Sequence, residues 1–241
     1  MEDLIKKIKA KGYWKIVIRP SEYQTNLIHS IAECKDLIKE NKLQLRGWDY
    51  PHIDPRGIKV SSNNSVHSYC DWPDGPMYEY WRFYQTGQFV HYFSMREDLR
   101  IDEIRVNELQ QSFGTKTRKF LDILSTLYSV TEVYQFAARL FSKINRVKGV
   151  EIIIELHDVK DRMLFFWGNH GRYLSMPYIC EFTDGVLKVG EEKIIDLDTL
   201  LNDSSGLALD TTIEIFNKFN WEGANKNVFI EDQKGLLERR W

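Results

Sequence analysis

Cysteine is scarce and unpatterned in this chain. Its three residues, Cys34, Cys70 and Cys180, stand far apart, and none is half of a Cys-x-x-Cys pair. That excludes a zinc ribbon or a thioredoxin-type redox motif and fits a protein whose thiols stay reduced. Long hydrophobic runs are also missing. The longest, Ile152-Ile153-Ile154 and Met163-Leu164-Phe165-Phe166-Trp167, are strand-sized, far short of the roughly 18 apolar residues of a membrane-crossing helix. Neither charge dominates: 33 Lys and Arg stand against 35 Asp and Glu, for a net charge of −2. No global basic field steers nucleic acid to the protein, and only a local patch would serve. The glycine-rich phosphate loops of nucleotide hydrolases and dinucleotide binders are absent, as is the Gly-x-Ser-x-Gly elbow of serine hydrolases. The stretch before Gly12 is short and charged, so no secretory leader is expected. The expected setting is cytoplasmic, with no membrane.

Aromatic residues are what the chain has in abundance, at 13%, within a hydrophobic content of 43% over 241 residues. That argues against disorder and allows one large domain or two small ones. Tyr13 to Arg19 alternates and is β-rich, so it reads as a strand stopped at Pro20. Leu27, Ile28, Ile31, Cys34, Leu37 and Ile38 recur at helical spacing, which predicts a helix over 26–41. Gly57 to Cys70 reads as a strand pair turning at Asn63-Asn64, followed by a breaker cluster over 71–76. Met77 to Phe83 and Gln88 to Met95 read as an aromatic hairpin, with Gly87 in the left-handed turn position.

Helical periodicity then runs over 115–148, through Phe120, Leu124, Leu127, Tyr134, Phe141 and Ile144. Ser129-Val130-Thr131-Glu132 fits a capping box, so a break near Ser129 is expected. Val150 to Leu156 and Arg162 to Trp167 read as a second hairpin, Tyr173 to Phe182 and Val186 to Ile195 as weaker strands, and Thr211 to Phe219 as a closing helix. The fold class is therefore α+β, mostly antiparallel sheet with a long central helix. Two lobes are expected, 1–112 and 113–241, or one continuous domain.

Chemistry concentrates in Leu45-Arg46-Gly47-Trp48-Asp49-Tyr50-Pro51-His52-Ile53-Asp54-Pro55-Arg56. Its two prolines suit neither a helix nor a central strand, so it reads as an ordered loop. Asp49, His52 and Asp54 are ligand-type side chains for zinc, manganese or iron, yet the spacing is loose. The simpler expectation is that Arg46 or Arg56 holds Asp49 and that Trp48 anchors the loop from beneath. Arg82, Tyr84, Gln88 and His91, beside Trp81 on the aromatic hairpin, mix rings with donors, as faces that stack bases or grip peptides do. Most hairpin rings must nonetheless be core. Glu155 and His157 share a strand face and read equally well as an ion pair. His170 and Arg172 flank a glycine turn able to hold an anion.

The loop stretch Leu45-Arg46-Gly47-Trp48-Asp49-Tyr50-Pro51-His52-Ile53, the hairpin motif Phe83-Tyr84-Gln85-Thr86-Gly87-Gln88-Phe89 and the start Tyr13-Trp14-Lys15-Ile16-Val17-Ile18-Arg19-Pro20 together resemble an uncharacterised bacterial protein group, over roughly residues 10–98. The resemblance implies a bacterial, cytoplasmic setting and carries no catalytic residue across. The expected function is a non-enzymatic recognition or partner-binding subunit of a bacterial system, of a nucleic-acid or defence kind. A protein partner is expected, a nucleic-acid partner is admitted, and no cofactor is called for. Its binding residues would be Arg46, Trp48, Asp49, His52, Asp54, Arg56, Arg82, Tyr84, Gln88 and His91. For nucleic acid, Arg46, Arg56, Arg82 and His91 would line one surface. The alternative is a metal-assisted hydrolase or nuclease using Asp49, His52 and Asp54, with Glu155 or His157, in which the metal acidifies a bound water.

Overall fold

A computed structural model describes residues 2–71, 77–168 and 172–240. The strand at Tyr13–Pro20 (β1) takes the centre of an antiparallel sheet. On one side it pairs with Phe89–Ser94 (β5), and beyond that lie Tyr78–Tyr84 (β4), Ser65–Asp71 (β3) and Lys59–Ser62 (β2) as a meander. On the other side it pairs along its whole length with Gly149–His157 (β7), whose outer edge is shared by Val186–Val189 (β9) and Ile194–Asp196 (β10). Among the described residues the sheet has eight strands, and it runs across the 112/113 division of the chain. The α+β architecture with mostly antiparallel sheet and a long helix is therefore the observed one.

Strict alternation decides the two faces. Trp14, Ile16 and Ile18 of β1, Trp81 and Phe83 of β4, Phe89 and Phe93 of β5, and Ile152, Ile154 and Leu156 of β7 point to one buried layer. The helix Ile123–Phe141 (α5) fills that layer. Its residues are buried almost all round, because Leu197–Asn217 (α6) and Lys226–Leu237 (α7) cover its far side with Ile31–Asn41 (α2) beside it. An amphipathic stripe suits a surface helix, whereas a helix apolar all round belongs inside. The opposite sheet face is covered by Glu2–Lys9 (α1), which seats Leu4 and Ile8 on Tyr80. Side-chain oxygens cap the helices: Ser30 accepts from Glu33 N, Asp122 from Ser125 N, and Asp196 from Asp198 N.

Several elements differ from the sequence expectation. The helical run over 115–148 begins with a short strand, Phe120–Asp122 (β6), and is helical only over α5. No break occurs at Ser129, because Glu132 turns to an arginine from another segment instead of closing a capping box. Met163–Phe165 (β8) does not pair with β7 but lies parallel to β6, since β7 is already occupied on both edges. Residues 173–182 form no strand beyond a bridge between Met163 and Ile179. The closing helix starts at Leu197, and a further helix, α7, follows it. Two short helices, Glu97–Arg100 (α3) and Glu103–Phe113 (α4), lie where no helix was expected. The breaker cluster beyond Asp71 lies outside the described residues. Among the described residues no helix is long and apolar enough to cross a membrane.

Candidate functional site

The loop between α2 and β2 is closed by paired backbone hydrogen bonds between Leu43 and Tyr50, both 2.8 Å. Gly47 sits at its apex with φ 83°, a left-handed conformation that favours glycine. The Tyr50–Pro51 peptide is cis. Asp49 is held by Lys42 Nζ at 2.7 Å and Gln44 Nε2 at 2.7 Å, not by Arg46 or Arg56. Both partners flank the loop's closure, so Asp49 ties its two ends. Burial pushes the Asp49 carboxyl up, but Lys42 and Gln44 outweigh it and leave it below the usual carboxylate range. The loop's anchors are the buried Leu45 and Tyr50; Trp48 is 42% exposed. The expected anchoring role of Trp48 therefore fails, because the small loop has room beneath it for only the inward-facing residues.

Arg46 reaches instead into the core. Its guanidinium donates to both oxygens of Glu132 on α5, at 3.2 and 2.5 Å, and to Ser129 Oγ at 3.3 Å. Burial raises the Glu132 carboxyl above its usual range, and the Arg46 charge only partly offsets this. Next to this pair, His91 lies between Tyr50 Oη at 3.3 Å and Glu79 Oε1 at 2.9 Å. Burial alone would push Glu79 up; the His91 ring and the His52 amide reverse the direction and hold it low. Sheet register places Glu79 and His91 among the core rings, because each shares the inward face of its strand.

A third buried carboxylate opens α3, just past β5. Glu97 accepts from Asp122 N at 2.9 Å, and its pKa rises to about 7, from desolvation and from the Asp122 charge. The segment is pinned by Asp98, which accepts from Gly12 N and from both terminal nitrogens of the fully buried Arg162. That brace fixes Arg96. Its guanidinium lies over the Trp167 ring at 5.2 Å, and its buried Nε has no hydrogen-bond partner. Among the described residues no carboxylate pairs with it.

These groups frame two connected spaces. A narrow inner cavity of about 60 Å³ is lined by Arg46, Tyr50, Glu79, His91, Arg96 and Glu97. It shares Arg46, Trp48, Arg96 and Ser125 with an outer cleft of about 620 Å³ that also takes in Tyr128, Trp167 and Arg172. Two arginine–tryptophan pairs thus face one cleft, since Arg46 lies over Trp48 at 5.3 Å. Arg172 is matched by Asp232, and the Asp122 oxygens are taken by the amides of Ser125 and Trp167. Arg96 is the arginine left for a ligand.

The other expected residues are placed elsewhere. Asp54 pairs with Arg56 at 2.8 Å and accepts from its amide, which lowers its pKa to about 2. Its own amide donates to Ser68 Oγ. Arg82 braces Ser62 and Ser65 and lies over Tyr84, on the sheet face away from α5. Gln88 lines a separate hollow near Arg19. His91 is buried, so Arg46, Arg56, Arg82 and His91 do not form one surface. Likewise Asp49, His52 and Asp54 hold different partners, and among the described residues no three His, Cys, Asp or Glu side chains are disposed to bind a metal. Glu155 and His157 bond to each other at 2.9 Å, with Lys15 on Glu155, on the face away from α5. His170 lies outside the described residues.

Sequence reasoning missed Arg96, Trp167, Tyr128, Glu79, Glu97 and Glu132. Glu132 did leave a signal, a carboxylate inside an otherwise apolar helical run, which needs a cation from elsewhere. Arg96 left none, since its isolation depends on which carboxylates the fold turns away from it. Compared with known proteins, the chain matches no protein-family model, no curated protein and no solved structure.

Proposed function

We propose that the chain is a recognition module that captures an anionic group in the cleft between Trp48 and Trp167. The observation that carries this reading is Arg96. A guanidinium is always charged and presents five donors that match carboxylate or phosphate oxygens. Arg96 faces both cavities, its Nε is withdrawn from water without a partner, and its neighbouring arginines are already paired. A buried donor left unmade costs about 1–3 kcal/mol, which an incoming oxyanion returns. The exposed Trp48 ring supplies apolar contact beside that charge.

Thermal melting in increasing inorganic phosphate tests this. With a Kd of about 10 mM, about 100 mM phosphate adds roughly 1.4 kcal/mol, or about 3–6 °C in Tm. Arg96→Gln keeps the cleft's shape and removes the charge, so its melting should ignore phosphate beyond the general salt effect matched with chloride. An equal rise in both proteins, or none in either, overturns the reading.

A further inference from the structure

The outer cleft does not end at Trp167. Trp167 and Arg172 also line a second cleft of about 520 Å³ that continues past Arg100, Arg105, Phe113, Phe166 and Tyr173. Each cleft is large enough for about one small-molecule unit. Along the two together, aromatic rings and arginines both recur: Trp48, Trp167 and Tyr173 with Arg96, Arg100 and Arg105. Trp48 and Tyr173 are exposed, the latter at 85%. Arg100 has no ion pair among the described residues, and Arg105 holds Glu108 only in a solvent-exposed pair at 3.0 Å. Of the carboxylates lining these clefts, Asp232 is neutralised by Arg172, while Asp102 and Asp122 accept from backbone amides and keep their charge against the larger number of arginines. Glu231 lies at the rim of the outer cleft.

Resting on the reading of Arg96 given above, we infer that this double cleft binds single-stranded nucleic acid, with phosphates at Arg96 and Arg100 and bases against Trp48 and Tyr173. Repetition is what selects this occupant. A small anion needs one guanidinium and one pocket, whereas a strand carries several phosphates and several rings, and the joined clefts offer more than one partner for each. Stacking platforms joined to arginines are how proteins hold single strands irrespective of sequence. Duplex DNA keeps its bases stacked inside and offers no ring to Trp48. The near-neutral net charge of −2 is compatible, because a local groove needs only its own arginines.

The test is fluorescence anisotropy of a labelled strand of about nine nucleotides, as DNA and as RNA, titrated with the full chain. Two phosphate contacts predict a log–log salt slope of about −1.4, hence about 7-fold weaker binding at 200 mM than at 50 mM salt. Arg96→Gln and Arg100→Gln should each weaken binding about 5- to 10-fold and reduce the slope by about 0.7. Trp48→Ala and Tyr173→Ala should each weaken it at least about 5-fold with the slope unchanged. All but Arg96 are at the surface, so the set does not hinge on one variant folding. Arg56→Gln, whose side chain sits against Asp54 and Tyr69 outside both clefts, should bind as the wild type does. Binding of either strand with these effects supports the inference. No binding, equal affinity for duplex, or a free mononucleotide bound as tightly as the strand overturns it. Phosphate stabilisation that depends on Arg96, together with no strand binding, would sink this inference and leave anion recognition standing.

Discussion

Replacing Arg46 by Met removes one partner of the Arg46–Glu132 pair while keeping an unbranched apolar stem. Glu132 is fully buried on α5, and the Arg46 side chain retains little exposure. Breaking a buried ion pair leaves the other charge uncompensated, at a cost of about 3–5 kcal/mol. For a chain of this size that is roughly 6–20 °C in Tm. The loss should depend on pH. Glu132 is already raised by desolvation, and without Arg46 it rises further. A carboxyl whose folded pKa is raised binds its proton more tightly when folded, so stability falls as pH climbs from the unfolded value of about 4.3 towards the folded one. Arg46→Met should therefore be more damaging at pH 8 than at pH 5. The double variant Arg46→Met with Glu132→Met replaces the pair by apolar groups and should recover most of the loss, with an interaction energy above about 2 kcal/mol. Urea unfolding of the four proteins at both pH values measures this. A single-variant loss below about 1 kcal/mol at pH 8, no pH dependence, or simple additivity would refute the argument.

Glu97→Gln should stabilise the protein at pH 8 by about 2–3 kcal/mol, because the wild type must ionise a buried acid whose pKa is about 7. The gain should shrink as pH drops from 7 towards the unfolded value, to about 1 kcal/mol at pH 5, and a gain as large at pH 5 as at pH 8 in thermal melts would contradict the cause given. Gly190→Ala should cost at least about 2 kcal/mol by urea unfolding, since φ is +80° and the new Cβ would lie 2.0 Å from the Ile152 carbonyl oxygen in β7; wild-type stability would show that β9 can shift away. Leu127→Ala, at a fully buried position of α5, should lower stability by about 2–5 kcal/mol, and an unchanged melt would place that face outside the core.

Local signals carried much of the fold. Alternation in 13–19 and 78–94 is a property of the strand itself, so β1, β4 and β5 were legible, as was the turn at Gly87, whose φ is 79°. Leu124, Leu127, Tyr134 and Phe141 share a helical period whatever they pack against, and all are buried on α5. Partner choice between segments was not legible. β8 pairs with β6 because β1, β9 and β10 have taken both edges of β7, which no residue in 162–167 encodes. The loop around Arg46 was visible as a dense run of chemistry. Its pairing was not, because Glu132 lies 86 residues away and sequence proximity favoured Asp49. The candidate site follows the same division. Sequence alone determined an α+β chain with an arginine–tryptophan loop and no known catalytic motif. Only the tertiary structure decided that, of the arginines lining the outer cleft, Arg96 is the one left without an ion pair among the described residues. A charge is spent or available according to what folding brings within a few ångströms of it, and that is a property of the packed chain.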